Sequence, residues 1–223
     1  MLSRLLREWW SRFLPARADA AAAARYAAER MTGARDLAGR AELLDFALAQ
    51  CSVQGLVLEF GVFRGDSLQM IAKRCAQEVH GFDSFEGLPE DWTGGREKGR
   101  FSLGGELPAI KAANVVLHKG WFERTLPGFL ASHPGPARFL HVDCDIYSST
   151  RTALEQLAPR LVPGTIIVFD EYINYPGWRE HEFRAFAEIV RQSGIAYSYL
   201  GYASAHESVA VRIDAVRSAE GVP

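Results

Sequence analysis

The sequence predicts one α/β domain whose sheet is mostly parallel and closes with an antiparallel hairpin. Two observations lead there. From Gly55 onward, short apolar runs alternate with helix-patterned stretches, as successive βα units do. The last two strand candidates then follow each other across a short polar turn with no helix between them.

The strand candidates are Leu56–Phe60, Val79–Phe82, Asn114–Leu117, Phe139–Val142, Thr165–Phe169, Ala196–Leu200 and Ser208–Ile213. Helical patterns lie between them at Ser67–Cys75, within Gly120–Ala131, and at Thr150–Leu161 and Glu182–Gln192. Ahead of the sheet, Ala20–Met31 and Ala41–Cys51 also read as helices. Leu2, Leu5, Leu6, Trp9 and Phe13 mark one apolar face of a further helix, with Arg4, Arg7 and Arg12 opposite and Pro15 at its end. Such an arm is expected to pack on the domain or to support a homo-oligomer, with a membrane surface as the alternative. The expected division is a helical extension over 1–50 and the sheet domain over 51–223. The Gly-rich stretch from Ser84 to Glu106, which holds Trp92, is too long for a routine βα connection and is expected to be a lid.

Composition narrows the partners. The 223 residues carry a net charge of −2 with no long basic block, which argues against nucleic acid and for a small molecule. Cys51, Cys75 and Cys144 are odd in number and far apart, which excludes a disulfide framework or zinc cluster and suits a reducing compartment. No apolar run is long enough to span a bilayer, and the N-terminus lacks the apolar stretch of a signal peptide, so a cytoplasmic location is expected.

The first strand ends in Glu59 and Phe60 and runs into Gly61-Val62-Phe63-Arg64-Gly65, with Ser67 opening the next helix. Glycines there allow a tight turn and close approach of a ligand at the carboxyl edge of the sheet. The spacing is GxxxG, not the GxGxxG of dinucleotide enzymes. A carboxylate at Glu59 would repel a pyrophosphate but suits ammonium and sulfonium charges, which favours S-adenosylmethionine over NAD. Asp83, ending the second strand beside Ser84 and Phe85, is placed to accept both ribose hydroxyls of an adenosine ligand. Gly120 and Trp121, after the third strand, are candidates to flank the adenine ring.

Two acidic pairs follow. Asp143 and Asp145 end the fourth strand, and Asp170 and Glu171 the fifth, so a parallel sheet brings all of them to one edge. Acids gathered without basic partners repel one another, and a divalent cation relieves that; hard oxygen donors suit Mg²⁺. Such an ion lowers the pKa of a bound hydroxyl, and a free carboxylate can then take the proton. Tyr172, Asn174, Tyr175 and Trp178 read either as a platform for a sugar or as a packed loop.

The stretches Glu59 to Gly65, Gly81-Phe82-Asp83-Ser84-Phe85-Glu86-Gly87-Leu88-Pro89, Asp143 to Tyr147 and Pro163 to Tyr172 resemble, in this order, motifs of the macrocin O-methyltransferase (TylF-like) family. That resemblance implies a Rossmann-like class I methyltransferase fold with a seven-stranded sheet and a metal-dependent, S-adenosylmethionine-using enzyme that methylates a sugar hydroxyl of a small-molecule acceptor. It also implies Asp143, Asp170 and Glu171 at the metal, with Asp143 also touching the cofactor, and Asp145 as the base, His181 ranking second. The family pattern has two adjacent Asp where this chain has Asp170-Glu171. A catechol-type acceptor, or a binding protein that keeps the fold without turnover, are the alternatives.

Overall fold

A computed structural model describes residues 18–217, so the arm over residues 2–13 lies outside the described residues. Residues 18–30 form helix α1. In chain order there follow β1 (Arg35–Asp36), α2 (Arg40–Ala49), β2 (Leu56–Phe60), α3 (Asp66–Ala72), β3 (Val79–Asp83) and β4 (Val115–Lys119). Then come α4 (Phe122–Ser132), β5 (Ala137–Val142), α5 (Tyr147–Leu157), β6 (Ile166–Phe169), α6 (Glu182–Ser193), β7 (Ile195–Tyr202) and β8 (Val209–Val216).

The sheet has eight strands in the order β1-β7-β8-β6-β5-β2-β3-β4. Strands β2 to β6 run parallel, whereas β8 lies antiparallel between β6 and β7. This is the Rossmann-like class I methyltransferase arrangement with its closing hairpin. The eighth strand is the departure from expectation: β1 is a two-residue strand paired to the outer edge of β7. Among the described residues ahead of residue 50, β1 pairs with the sheet, and Ala23, Met31, Leu43, Leu44 and Ala47 are packed into its core.

Side-chain alternation along the strands separates two apolar layers. Val57, Phe139, Ile166, Val168 and Ala210 face α2 and α3, packing on Leu43, Leu44, Leu68 and Ile71. Leu58, Phe60, Leu140, Val142, Ile167 and Phe169 face the other helices, packing on Leu126, Leu154, Leu157 and Phe186. Both faces are thus covered, as a parallel sheet requires. No helix among the described residues is long and apolar enough to cross a membrane.

Candidate active site

Register brings the strand tips level. Phe60 pairs with both Phe82 and Val142, and Val142 with Phe169. The residues that leave these strands, Gly61, Asp83, Asp143 and Asp170, therefore meet along one edge. They line a cavity of about 560 Å³ together with Arg40, Ser84, Gly120, Trp121, Asp145 and Glu171. That volume suits a cofactor-sized ligand.

One half of the cavity is made largely of backbone. Gly61 has φ 88°, and a Cβ there would lie 1.7 Å from the carbonyl oxygen of Asp143, so no larger residue fits. Gly65, with φ 79°, occupies the left-handed position that starts α3. Asp83 braces the turn: its Oδ2 accepts the backbone N–H groups of Val62 and Phe63, each at 2.8 Å, and its Oδ1 accepts that of Phe85 at 2.7 Å.

The other half is made of side chains. Glu59 and His141 are register partners on adjacent strands. Both are fully buried, and His141 Nδ1–H donates to Glu59 Oε2 at 2.9 Å while Ser67 donates to Oε1 at 3.2 Å. This bond leaves His141 Nε2 facing Asp170 Oδ1 at 3.7 Å, within ion-pair range but too far for a hydrogen bond, so that nitrogen is buried without a hydrogen-bond partner. His141, Asp143 and Asp170 each offer a donor atom, all within 4.8 Å of one another. From α2, Arg40 Nη1 donates to Asp170 Oδ2 at 2.9 Å and sits 3.4 Å from Asp143 Oδ2.

These contacts set the charges. Burial lowers the pKa of His141, but the carboxylates of Asp170 and Glu59 outweigh it and push it up to about 10. Burial likewise raises Asp170, yet His141 and Arg40 overcome it and hold the group down at about 2. Asp145, at φ 63° in the turn after β5, is pushed up to about 7 by burial and by the charge of Asp170. Burial and the neighbouring carboxylates hold Glu171 and Glu182 well above the usual range, and Glu171 Oε2 and Glu182 Oε1 are buried without partners.

Residues 58–172 match the model of a family described as a methyltransferase domain. The chain belongs to that family. The chain is 32% identical over 170 residues to 8-demethyl-8-(2,3-dimethoxy-alpha-L-rhamnosyl)-tetracenomycin-C 4'-O-methyltransferase of Streptomyces olivaceus, a match that covers 65% of this chain and 63% of that protein. It therefore spans less than two thirds of that relative's length. Its fold is similar to that of CalS11, a calicheamicin methyltransferase, with a TM-score of 0.60, 23% identity and 76% of each chain covered. The O-methyltransferase NovP is similar too, with a TM-score of 0.56, 22% identity, and 78% and 77% of the two chains covered. S-adenosylmethionine is the cofactor of the family.

Of the residues singled out in the sequence, Gly61, Val62, Ser67, Asp83, Ser84, Gly120, Trp121, Asp143, Asp145, Asp170 and Glu171 lie on the cavity wall. Glu59, Phe60, Gly65, Phe85 and His181 are off it. Glu59 lies behind the turn, held by His141 and Ser67, so its charge reaches the cavity through His141 and not by contact. Phe60 and Phe85 are fully buried, Phe60 stacking on Phe82. Asp83 accepts two backbone N–H groups on Oδ2 and one on Oδ1, so its carboxylate is largely engaged with the turn.

The compact donor cluster differs from the metal ligands that the resemblance implies. Among the described residues Glu171 is not within the compact donor cluster, and His141, which sequence reasoning passed over, is. The backbone N–H of Glu171 donates to Glu182 Oε2 at 3.1 Å, and the charges of Asp170, Asp143, Asp145 and Glu182 all bear on its own carboxyl. Nor are the acids without basic partners, since Arg40 and His141 stand among them. His181 packs edge-on to Trp92 at 6.2 Å and is not among the residues that line the cavity. Tyr172, Tyr175 and Trp178 are buried, and Asn174 donates to the Ser204 and His206 carbonyls. That stretch is a packed loop. The segment after Ser84 does cover the cavity, contributing Leu88, Pro89 and Phe101. It is latched by Ser148 Oγ donating to Glu90 at 2.8 Å and Thr93 Oγ1 to the Pro176 carbonyl at 3.0 Å.

Proposed function

We propose that the protein transfers the methyl group of S-adenosylmethionine to a hydroxyl of a glycosylated small molecule. The observation that carries this reading is that one cavity holds both the glycine-turn half and the buried acidic half, separated by no more than the Gly61–Asp143 backbone contact. The tetracenomycin relative, named for 4'-O-methylation of a rhamnosyl compound, supports the sugar acceptor.

In this reading the turn from Gly61 to Gly65 and the walls at Gly120 and Trp121 hold the cofactor. Asp83 accepts one ribose hydroxyl on Oδ1. The acceptor oxygen attacks the methyl carbon, the carbon–sulfur bond breaks, and S-adenosylhomocysteine leaves. Asp145 takes the hydroxyl proton, since it is the acid on the wall whose pKa lies near neutrality without an ion pair to hold it ionised. The segment after Ser84 excludes water and commits the acceptor.

The donor set fits a divalent cation, in particular because the buried Nε2 of His141 lacks a hydrogen-bond partner and Glu59 orients the ring from behind, as second partners of metal-bound histidines do. His141, Asp143 and Asp170 would hold it, with Nε2 giving up its proton. A hard ion there supplies Lewis acidity to the acceptor hydroxyl. Arg40, lying across Asp143 and Asp170, favours a second reading in which the same transfer runs without metal.

The test is turnover of purified protein with S-adenosylmethionine and a panel of rhamnosyl glycosides and catechols, after chelation and after adding Mg²⁺. Methylated glycoside, found by mass spectrometry and lost on chelation, is the expected result. Glycoside turnover indifferent to chelation selects the metal-free reading, and methylation of catechols alone overturns the sugar acceptor.

A further inference from the structure

Arg40 opens α2, and its guanidinium reaches the tips of β5 and β6. Three features set it apart from an ordinary surface ion pair. First, its Nη1 engages Asp170 and Asp143, two of the three residues in the donor cluster, so it draws on lone pairs that a hard cation would need. Second, its single positive charge bridges two carboxyl groups, whereas a divalent ion in its place brings twice the charge to the same oxygens. Third, it is free to leave. The Arg40 side chain is 36% exposed against 3% for Asp170, and among the described residues Nη1 is its one hydrogen-bonded nitrogen.

We propose that Arg40 is a displaceable resident cation, which bridges Asp143 and Asp170 in the metal-free protein and withdraws when a divalent ion binds. Its placement keeps the acidic edge from repelling itself apart before the ion arrives. The same placement sets a threshold, because the ion has to compete with a side chain tethered beside the site. This inference rests on the metal-dependent reading above.

The experiment is Mn²⁺ binding to the full chain, followed by electron paramagnetic resonance, for the wild type, Arg40→Met and Arg40→Lys. Arg40→Met, which keeps the stem without the charge, is expected to bind Mn²⁺ about tenfold more tightly. Arg40→Lys is expected to stay within about threefold of the wild type. In the wild type, the Arg40 Nε–Hε resonance is expected to move to the position of a solvated arginine on saturation with Mg²⁺, a readout that needs no Met variant to fold. Mn²⁺ binding by the wild type with no gain in Arg40→Met, or an unmoved Arg40 resonance, overturns the displacement and leaves the metal reading standing. No Mn²⁺ bound by any of the three overturns both.

Discussion

The two halves of the cavity are built in opposite ways. On the glycine-turn side the working groups are backbone, with the Val62 and Phe63 N–H groups converging on one carboxylate, Asp83. On the acidic side they are side chains that repel one another and are held by cations from elsewhere, His141 from inside β5 and Arg40 from α2. A backbone-built site has its shape as soon as the chain folds. A site built of like charges needs counter-charges to exist at all, and these become part of its chemistry. The first half should therefore fail through folding and binding, the second through turnover.

The largest expected effect tests the second half. Asp145→Asn should lower turnover by about 10²- to 10⁴-fold. Its affinity for S-adenosylhomocysteine by calorimetry should stay as in the wild type, and a loss of cofactor binding would erase the proposed division. Gly61→Ala tests the first half, since its Cβ has no place beside the Asp143 carbonyl. It should lose about 3 kcal/mol of stability in urea unfolding and bind S-adenosylhomocysteine poorly. Normal binding by this variant would show that the turn is not the rigid frame described.

Glu59→Gln sharpens the boundary between the halves, because Glu59 lies under the turn yet acts on His141. Losing the charged partner of a buried hydrogen bond should cost about 2 kcal/mol in the same unfolding measurement.

The smallest effect lies away from the cavity. His80, at hydrogen-bond distance (3.2 Å) from His118, is held down to about 4 by burial and by the charges of His118 and His133. Its folded pKa is below the unfolded 6.5, so the unfolded chain binds the extra proton first. This contribution to stability is complete above pH 6.5 and is lost as pH falls toward about 4. The raised carboxyls Asp143 and Glu171 act in the opposite sense, so the measurable quantity is a difference. His80→Phe should show a shallower fall in Tm over that window than the wild type, and parallel curves would rule His80 out.

Sequence reasoning reached the backbone half more fully than the side-chain half, for physical reasons. A strand that must turn sharply against another backbone advertises itself with Gly61, and Asp83 at the next strand end is close in sequence to the turn it braces. Arg40 could not be read this way: its partners lie 103 and 130 residues away, and nothing local marks it. His141 was legible in part. It stands two residues before Asp143, where side chains share a strand face, but a histidine inside an apolar run reads as core. The aromatic run at Tyr172, Tyr175 and Trp178 could not be decided from sequence, because rings that suit a sugar suit a protein interior equally well. The two residues of β1 are too few to show any alternation.

Ser208, next to the start of β8, donates from Oγ to Asp170 Oδ1 at 3.0 Å and also lies within reach of the Asp170 carbonyl. The hairpin at the far end of the chain is thus stitched to the reactive edge. A ribosome that has made every residue from Gly61 to Glu171 has still not made a finished centre. Exchanging tails between related enzymes would accordingly transplant part of the acid's orientation along with the architecture.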